Sequence, residues 1–202
     1  MRSPRFDRLF PLVLFFAVFL CRGIGFSSAF AAPPVWTVDS LDSHLSFSGK
    51  DNGKIFSGEF KKFTPEIAFD RQDLAASSIK VIVDTASATT GDETYDRTLP
   101  GGEWFNVFQF PNAVFESAAI RYLGSDKAGV EGYEASGKLT ILGVTQNIIF
   151  PFTLAVTNQS AHATGNLRLK RLDFGLGKTV DAKGDSISND IIVRFDIRAH
   201  LK

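Results

Sequence analysis

Hydrophobic and polar residues alternate along most of this chain with a period of two. The cleanest run lies near the C-terminus, where Ile191, Val193, Phe195, Ile197 and Ala199 interleave with Ile192, Arg194, Asp196, Arg198 and His200. Successive side chains of a strand point to opposite faces, so this run reads as a strand with one buried and one wetted face. Residues 137–152 carry the signal twice. Leu139 and Ile141 share one face of a first strand, and Ile148, Phe150 and Phe152 one face of a second, with Gly143 between the two apolar runs. That is the pattern of a β-hairpin.

From Pro34 onward the alternation predicts strands over residues 35–39, 44–48, 54–63, 67–70, 77–86, 113–123, 130–142, 145–157, 163–172 and 189–201. Asp51-Asn52-Gly53 supplies hairpin turn chemistry, and Ile79, Val81 and Val83 alternate against Lys80, Ile82 and Asp84. One segment interrupts the strands, residues 91–110. Acidic residues stand at a helix start there and Pro100-Gly101-Gly102 forces a break, which predicts a short helix over 92–99 and a second turn near 103–107. Eight or more antiparallel strands leave sheet edges to protect, and closure into a barrel removes them. The expected fold is all-β, an eight-stranded antiparallel barrel with one or two short helices between strands. Such a barrel is just wide enough to be filled by its own side chains or to hold one slender ligand.

The N-terminus follows a different pattern. Arg2, Arg5 and Arg8 precede an apolar run at 9–20, the length of a signal-peptide core and too short to span a bilayer comfortably. Ala29-Phe30-Ala31 has the small residues a signal peptidase requires, which predicts cleavage before Ala32 and one mature domain over 32–202. A lipoprotein site at Cys21 is the rival, but the bulky Leu20 before it fits poorly; retention as an anchor is another. Cys21 is the single cysteine, so the mature domain would have no disulfide, thiolate metal site or cysteine nucleophile.

Loss of Arg2, Arg5, Arg8 and Arg22 together with Asp7 turns a formally neutral chain mildly acidic. That argues against nucleic acid as a partner, since the nearest basic grouping is only Arg168, Lys170 and Arg171. Enzyme motifs are thin. Gly175-Leu176-Gly177-Lys178-Thr179 resembles the end of a P-loop, but Leu172 stands where the earlier glycine belongs, and Val180 fails the dinucleotide pattern. His44, His162 and His200 are isolated from one another, with no metal-ligand spacing, and no G-x-S-x-G elbow occurs. The expectation is a protein without catalysis, metal or resident cofactor.

A series of short segments adds to this reading. Trp36-Thr37-Val38-Asp39, Ser43-His44-Leu45-Ser46-Phe47, Gly58-Glu59-Phe60, Asp96-Arg97-Thr98-Leu99 ahead of Trp104-Phe105, Phe110-Pro111 through Phe115, Gly137 through Thr145, and Arg171-Leu172-Asp173-Phe174-Gly175 resemble, in order, the signatures of the YceI-like family. The resemblance implies an extended, lipocalin-like barrel with a helix packed on it, and a tunnel for a polyisoprenoid such as an isoprenoid quinone or prenyl pyrophosphate. A bound lipid or quinone would then be ligand, not cofactor. Relatives are commonly exported bacterial proteins, which with the leader implies the periplasm. Some accompany cytochrome b561-type membrane proteins, so an envelope interaction protein with a solid barrel, partner to a membrane b-type cytochrome, is the alternative. Monomer and homodimer are both open.

A tunnel of this kind binds by removing apolar surface from water, and aromatic side chains suit its wall. Phe47, Phe60, Phe115, Leu139, Ile141, Phe150 and Phe195 are the expected wall, against the simpler reading that they fill a solid core. Trp104 and Phe105, on the irregular Gly-rich segment, are expected to form a lid touching the ligand. Arg97 and Arg171, with Asp173, are candidates for a head group at the mouth, the competing role being an internal ion pair or turn-fixing hydrogen bond.

Overall fold

The computed structural model describes residues 32–202. Cys21 and the leader fall outside the described residues. Eleven strands form: β1 Val35–Val38, β2 His44–Asp51, β3 Lys54–Phe60, β4 Phe63–Ala68, β5 Ser78–Asp84, β6 Ala88–Thr89, β7 Asn112–Ser125, β8 Glu131–Ile141, β9 Val144–Thr157, β10 Ser160–Lys170 and β11 Asp190–Leu201. One short helix, α1 Glu93–Thr98, stands between β6 and β7.

All pairings are antiparallel, and β4, β5, β7, β8, β9, β10 and β11 follow one another around the sheet. The ring closes because β1 pairs with β11 on one side, Trp36 opposite Leu201, and with β4 on the other, Trp36 opposite Ile67. The result is a closed eight-stranded barrel. Closure satisfies ladder groups that an open sheet would leave exposed. Beyond β1, β2 continues along the same edge of β11, with Phe47 opposite Val193, and carries the β2–β3 hairpin.

The strands expected at 54–63, 67–70 and 77–86 differ in extent, for one reason, and the second of them begins earlier, at Phe63. The predicted strand 54–63 is broken at Lys61-Lys62, because β3 pairs with β6 while β4 pairs with β5, so the chain must kink where it changes partners. Ser87 holds the kink: its carbonyl accepts the Lys61 N–H and its hydroxyl oxygen the Lys62 N–H. The predicted strand 77–86 ends early for the same change, in a 3-10 turn over Thr85–Ser87 capped by the Asp84 carboxylate. Elsewhere the pattern and the strands agree closely. At the β8–β9 hairpin Leu142 and Gly143 both take positive φ, 52° and 74°, the turn geometry that matches strand twist. Gly137 is required where β8 crosses β7, since a Cβ there would lie 2.3 Å from the Glu116 carbonyl oxygen.

α1 begins where the acidic residues predict. Asp92 is its N-cap, accepting from the Thr94 and Tyr95 N–H groups. Tyr95 stacks on Phe56 and donates its hydroxyl proton to the Asp51 carboxylate, laying the helix along the edge of β3 that β6 leaves uncovered. Residues 103–107 form the expected turns, held by Trp104 and Asn106 N–H groups on the Gly101 carbonyl.

The interior is uneven along the barrel axis. At the end bearing the β4–β5, β7–β8 and β9–β10 connections, Trp36, Phe69, Ile120, Tyr133, Ala135 and Leu154 pack into a solid core. At the other end the interior is hollow.

Candidate functional site

A cavity of about 260 Å³ occupies the hollow end. Its wall is built by the inward positions of the strands, so the period-two pattern of the sequence becomes a continuous apolar surface. Phe47, Phe60, Phe115, Leu139, Ile141, Phe150 and Phe195 all border it, and so do the lid residues Trp104 and Phe105. The aromatic rings resolve the choice between wall and filling geometrically. They pack on one another along two ribs: Phe115–Phe150–Phe195, edge to face with centroids 5.3 and 5.8 Å apart, and Phe47–Phe60–Phe105, with a tilted contact at 5.2 Å and an edge contact at 5.8 Å. Packed on one another this way, they leave the axis open. A solid barrel, the premise of the alternative reading, is therefore not what the chain forms.

The roof consists of α1, residues 99–110 and the connection between β10 and β11. Phe105 reaches down to Phe60, and Phe110 rests against the β8–β9 turn, where a side chain on Gly143 would meet its ring at 2.9 Å. Leu99, Leu176 and Ile187 join Trp104 and Phe105 in facing the cavity. Leu176 and Ile187 lie in irregular backbone, where no period marks an inward residue, and the sequence reading missed them. Val81, Val83, Leu167 and Leu169 were also passed over as wall residues, although their alternation in β5 and β10 marked them.

Arg171 is the single charged side chain on the wall, and it is only 2% exposed. Its guanidinium is spent on the roof. Nη1 donates to the Leu176 carbonyl at 2.7 Å, Nη2 to the Ile187 carbonyl at 2.8 Å and the Asp181 carboxylate at 2.6 Å, and Nε to the Ser188 carbonyl at 3.3 Å. The ring of Trp104 lies 5.6 Å from the guanidinium carbon, which couples the lid to the same cation. Of its two expected roles, the internal ion pair is the one observed. Asp181 also accepts N–H groups of Ile187, Ser186 and Asp185, and these with Arg171 hold its carboxyl below the usual range. Burial lowers the Arg171 value, opposed by Asp181, yet an arginine so placed stays charged.

Arg97 is a correction. It sits on the outward face of α1, pairs with Glu93 one turn earlier at 3.5 Å, and does not border the cavity. A helix so short, laid along β3 by Tyr95, turns a residue two positions on to the solvent side. Asp173 is exposed and contributes its carbonyl to Gln146. The P-loop-like stretch is a roof loop: Gly175 and Gly177 take φ of 86° and 67°, and the Gly177 N–H donates to the Glu103 carbonyl. His162 pairs with Asp196 at 2.7 Å on the outer face, and among the described residues no three His, Cys, Asp or Glu side chains converge on a metal position.

A closed antiparallel barrel around an apolar hollow is a lipocalin-like binding-protein fold. The chain belongs to the YceI-like family, whose YceI-like domain matches residues 36–199. It is 31% identical over 127 residues to the "UPF0312 protein" of Yersinia pestis (strain Pestoides F), covering 59% of this chain and spanning only 62% of that relative's length. The solved structure of BcnA from Burkholderia cenocepacia matches with a TM-score of 0.74 at 29% identity, over 80% of this chain and 99% of that one. A polyisoprenoid binding domain from Saccharophagus degradans, implicated in plant cell wall breakdown, shares the fold with a TM-score of 0.67 at 16% identity, over 84% and 99% of the two chains.

Proposed function

We propose that this protein is exported, loses its leader before Ala32, and holds a polyisoprenoid or similar long-chain amphiphile in the barrel without acting on it covalently. The observation that carries the reading is the cavity wall: every lining side chain is apolar or aromatic except Arg171, and Arg171 is committed to the roof. Such a space offers nothing to a polar solute. An isoprenoid chain gains roughly 0.8 kcal/mol for each methylene-sized group it removes from water, so the wall suffices for affinity without head-group contacts. The polyisoprenoid-binding description of a protein of the same fold supports the ligand class. The leader's basic start, apolar core and small residues at 29–31 support export, and the periplasm as the compartment.

The test is native mass spectrometry of the mature protein purified from a bacterial envelope, followed by organic extraction. One apolar lipid per chain is expected. Protein that arrives empty and takes up no prenyl alcohol from detergent solution would remove the reading.

A further inference from the structure

The cavity has a floor as well as a wall. Its lining stops at Ile67, Phe152, Ala163 and Ile197. The layer beyond, Trp36, Phe69, Tyr133 and Leu154, belongs to the packed core and takes no part in lining this cavity. Tyr133 is the largest fully buried side chain. Its ring lies flat on Phe152, centroids 5.4 Å apart at 19°, and takes the edge of Phe69 at 5.4 Å and 84°.

This plug is fastened from the far side. The Tyr133 hydroxyl donates to the Glu131 carboxylate at 2.7 Å, and Arg71 from the β4–β5 connection pairs with Glu131 at 2.5 Å. Trp36 Nε1 donates to the Phe69 carbonyl at 3.0 Å. On one side of it β8 and β9 pair without a break from Glu131 opposite Leu154 to Ile141 opposite Val144, while on the other the β7–β8 ladder pairs Tyr122 with Tyr133 and shifts register between Ser117 and Ala119 and between Tyr122 and Gly124. To open this end, several ladder bonds and a buried aromatic cluster would have to give way together. The roof is held by one short helix and irregular connections, so the cavity is a blind well with its access at the roof.

We propose that Phe152, backed by Tyr133 and Phe69, gauges the length of the ligand's apolar chain. The proposal rests on the lipid-binding reading. A chain entering through the roof descends until it meets the Phe152 ring, and its polar end stays at the roof because the well holds no uncommitted polar group. A chain too long leaves isoprene units in water above the roof; one too short leaves wall uncovered. Affinity therefore peaks at one length, fixed by the distance from floor to roof.

The test uses delipidated mature protein, residues 32–202, offered an equimolar series of all-trans prenyl alcohols from farnesol upward, with the bound lengths read by native mass spectrometry. Wild type is expected to select a narrow band. Phe152→Ala lowers the floor and is expected to move the band up by at least one isoprene unit. Ala163→Leu raises the floor and is expected to move it down, which keeps the proposal exposed if the first variant fails to fold. Arg168→Ala, on the outer face of the strand that carries Leu167, is expected to leave the band in place. Folded Phe152→Ala and Ala163→Leu proteins with the wild-type band would overturn the gauge while leaving lipid binding intact, as would a shift of equal size in Arg168→Ala. Failure of wild type to bind any member defeats the lipid reading itself, a distinguishable outcome.

Discussion

Arg171 shows how one residue can border a ligand space and yet serve the fold. Truncation to Ala would take the cation from the Asp181 carboxylate and a donor from the Leu176, Asp181, Ile187 and Ser188 carbonyls, and loss of one partner from a buried pair costs about 3–5 kcal/mol. Urea unfolding of Arg171→Ala is expected to show that loss as a lower midpoint with unchanged slope. Acid should act through the other partner. The Asp181 carboxyl titrates below its ordinary 3.8 in the folded protein, so its linked stability is complete above the unfolded value and drains away as pH falls through the folded one. An acid unfolding profile through and below the ordinary carboxylate range should therefore be less steep in Asp181→Asn than in wild type. The sequence showed Phe150 and Phe195 as inward residues because alternation alone assigns them a face. It could not show the Arg171–Asp181 lock, because turns at Gly175 and Gly177 bring the partners together and no period relates them. The placement of Arg97 failed for a related reason: a helix of six residues gives too few turns to reveal which face is covered.

Among the elements, the strands were legible nearly to their ends, since each buries a single face against one interior. What escaped was the exchange of partners at Lys61-Lys62, where β3 and β4 keep one alternation while pairing with different neighbours. The β7–β8 pair makes the cost of close strand contact measurable. A methyl group on Gly137 would press on the Glu116 carbonyl and the Phe115 ring, both under 3 Å. Gly137→Ala is expected to lose about 1–3 kcal/mol in chemical denaturation, in line with overpacking of a rigid site. α1 offers the opposite case, an element held at its start. Removing its cap with Asp92→Ala should cost about 1 kcal/mol, and hydrogen exchange should place the loss at Glu93–Thr98 and the edge of β3, not in the barrel ladders.

For the molecule as a whole, stability is divided along the barrel axis. The plugged end carries its own core, whereas the hollow end closes only when lid, wall and Arg171 network come together over the cavity. A ligand filling that hollow binds the folded chain alone, so it adds RT ln(1 + [L]/Kd) to the free energy of unfolding, about 2.7 kcal/mol at a hundredfold excess over Kd. For a domain of this size each kcal/mol moves Tm by about 2–4 °C, so stripping the lipid should lower Tm by about 5–10 °C. The division predicts where the loss appears. Amides of residues 99–110 and 176–189 should exchange faster in the delipidated protein, while those of 131–135, in the ladder behind the Tyr133 plug, should exchange at the same rate in both forms. Uniform acceleration across both ends would mean that the barrel unfolds as one unit, and that the floor is no firmer than the roof.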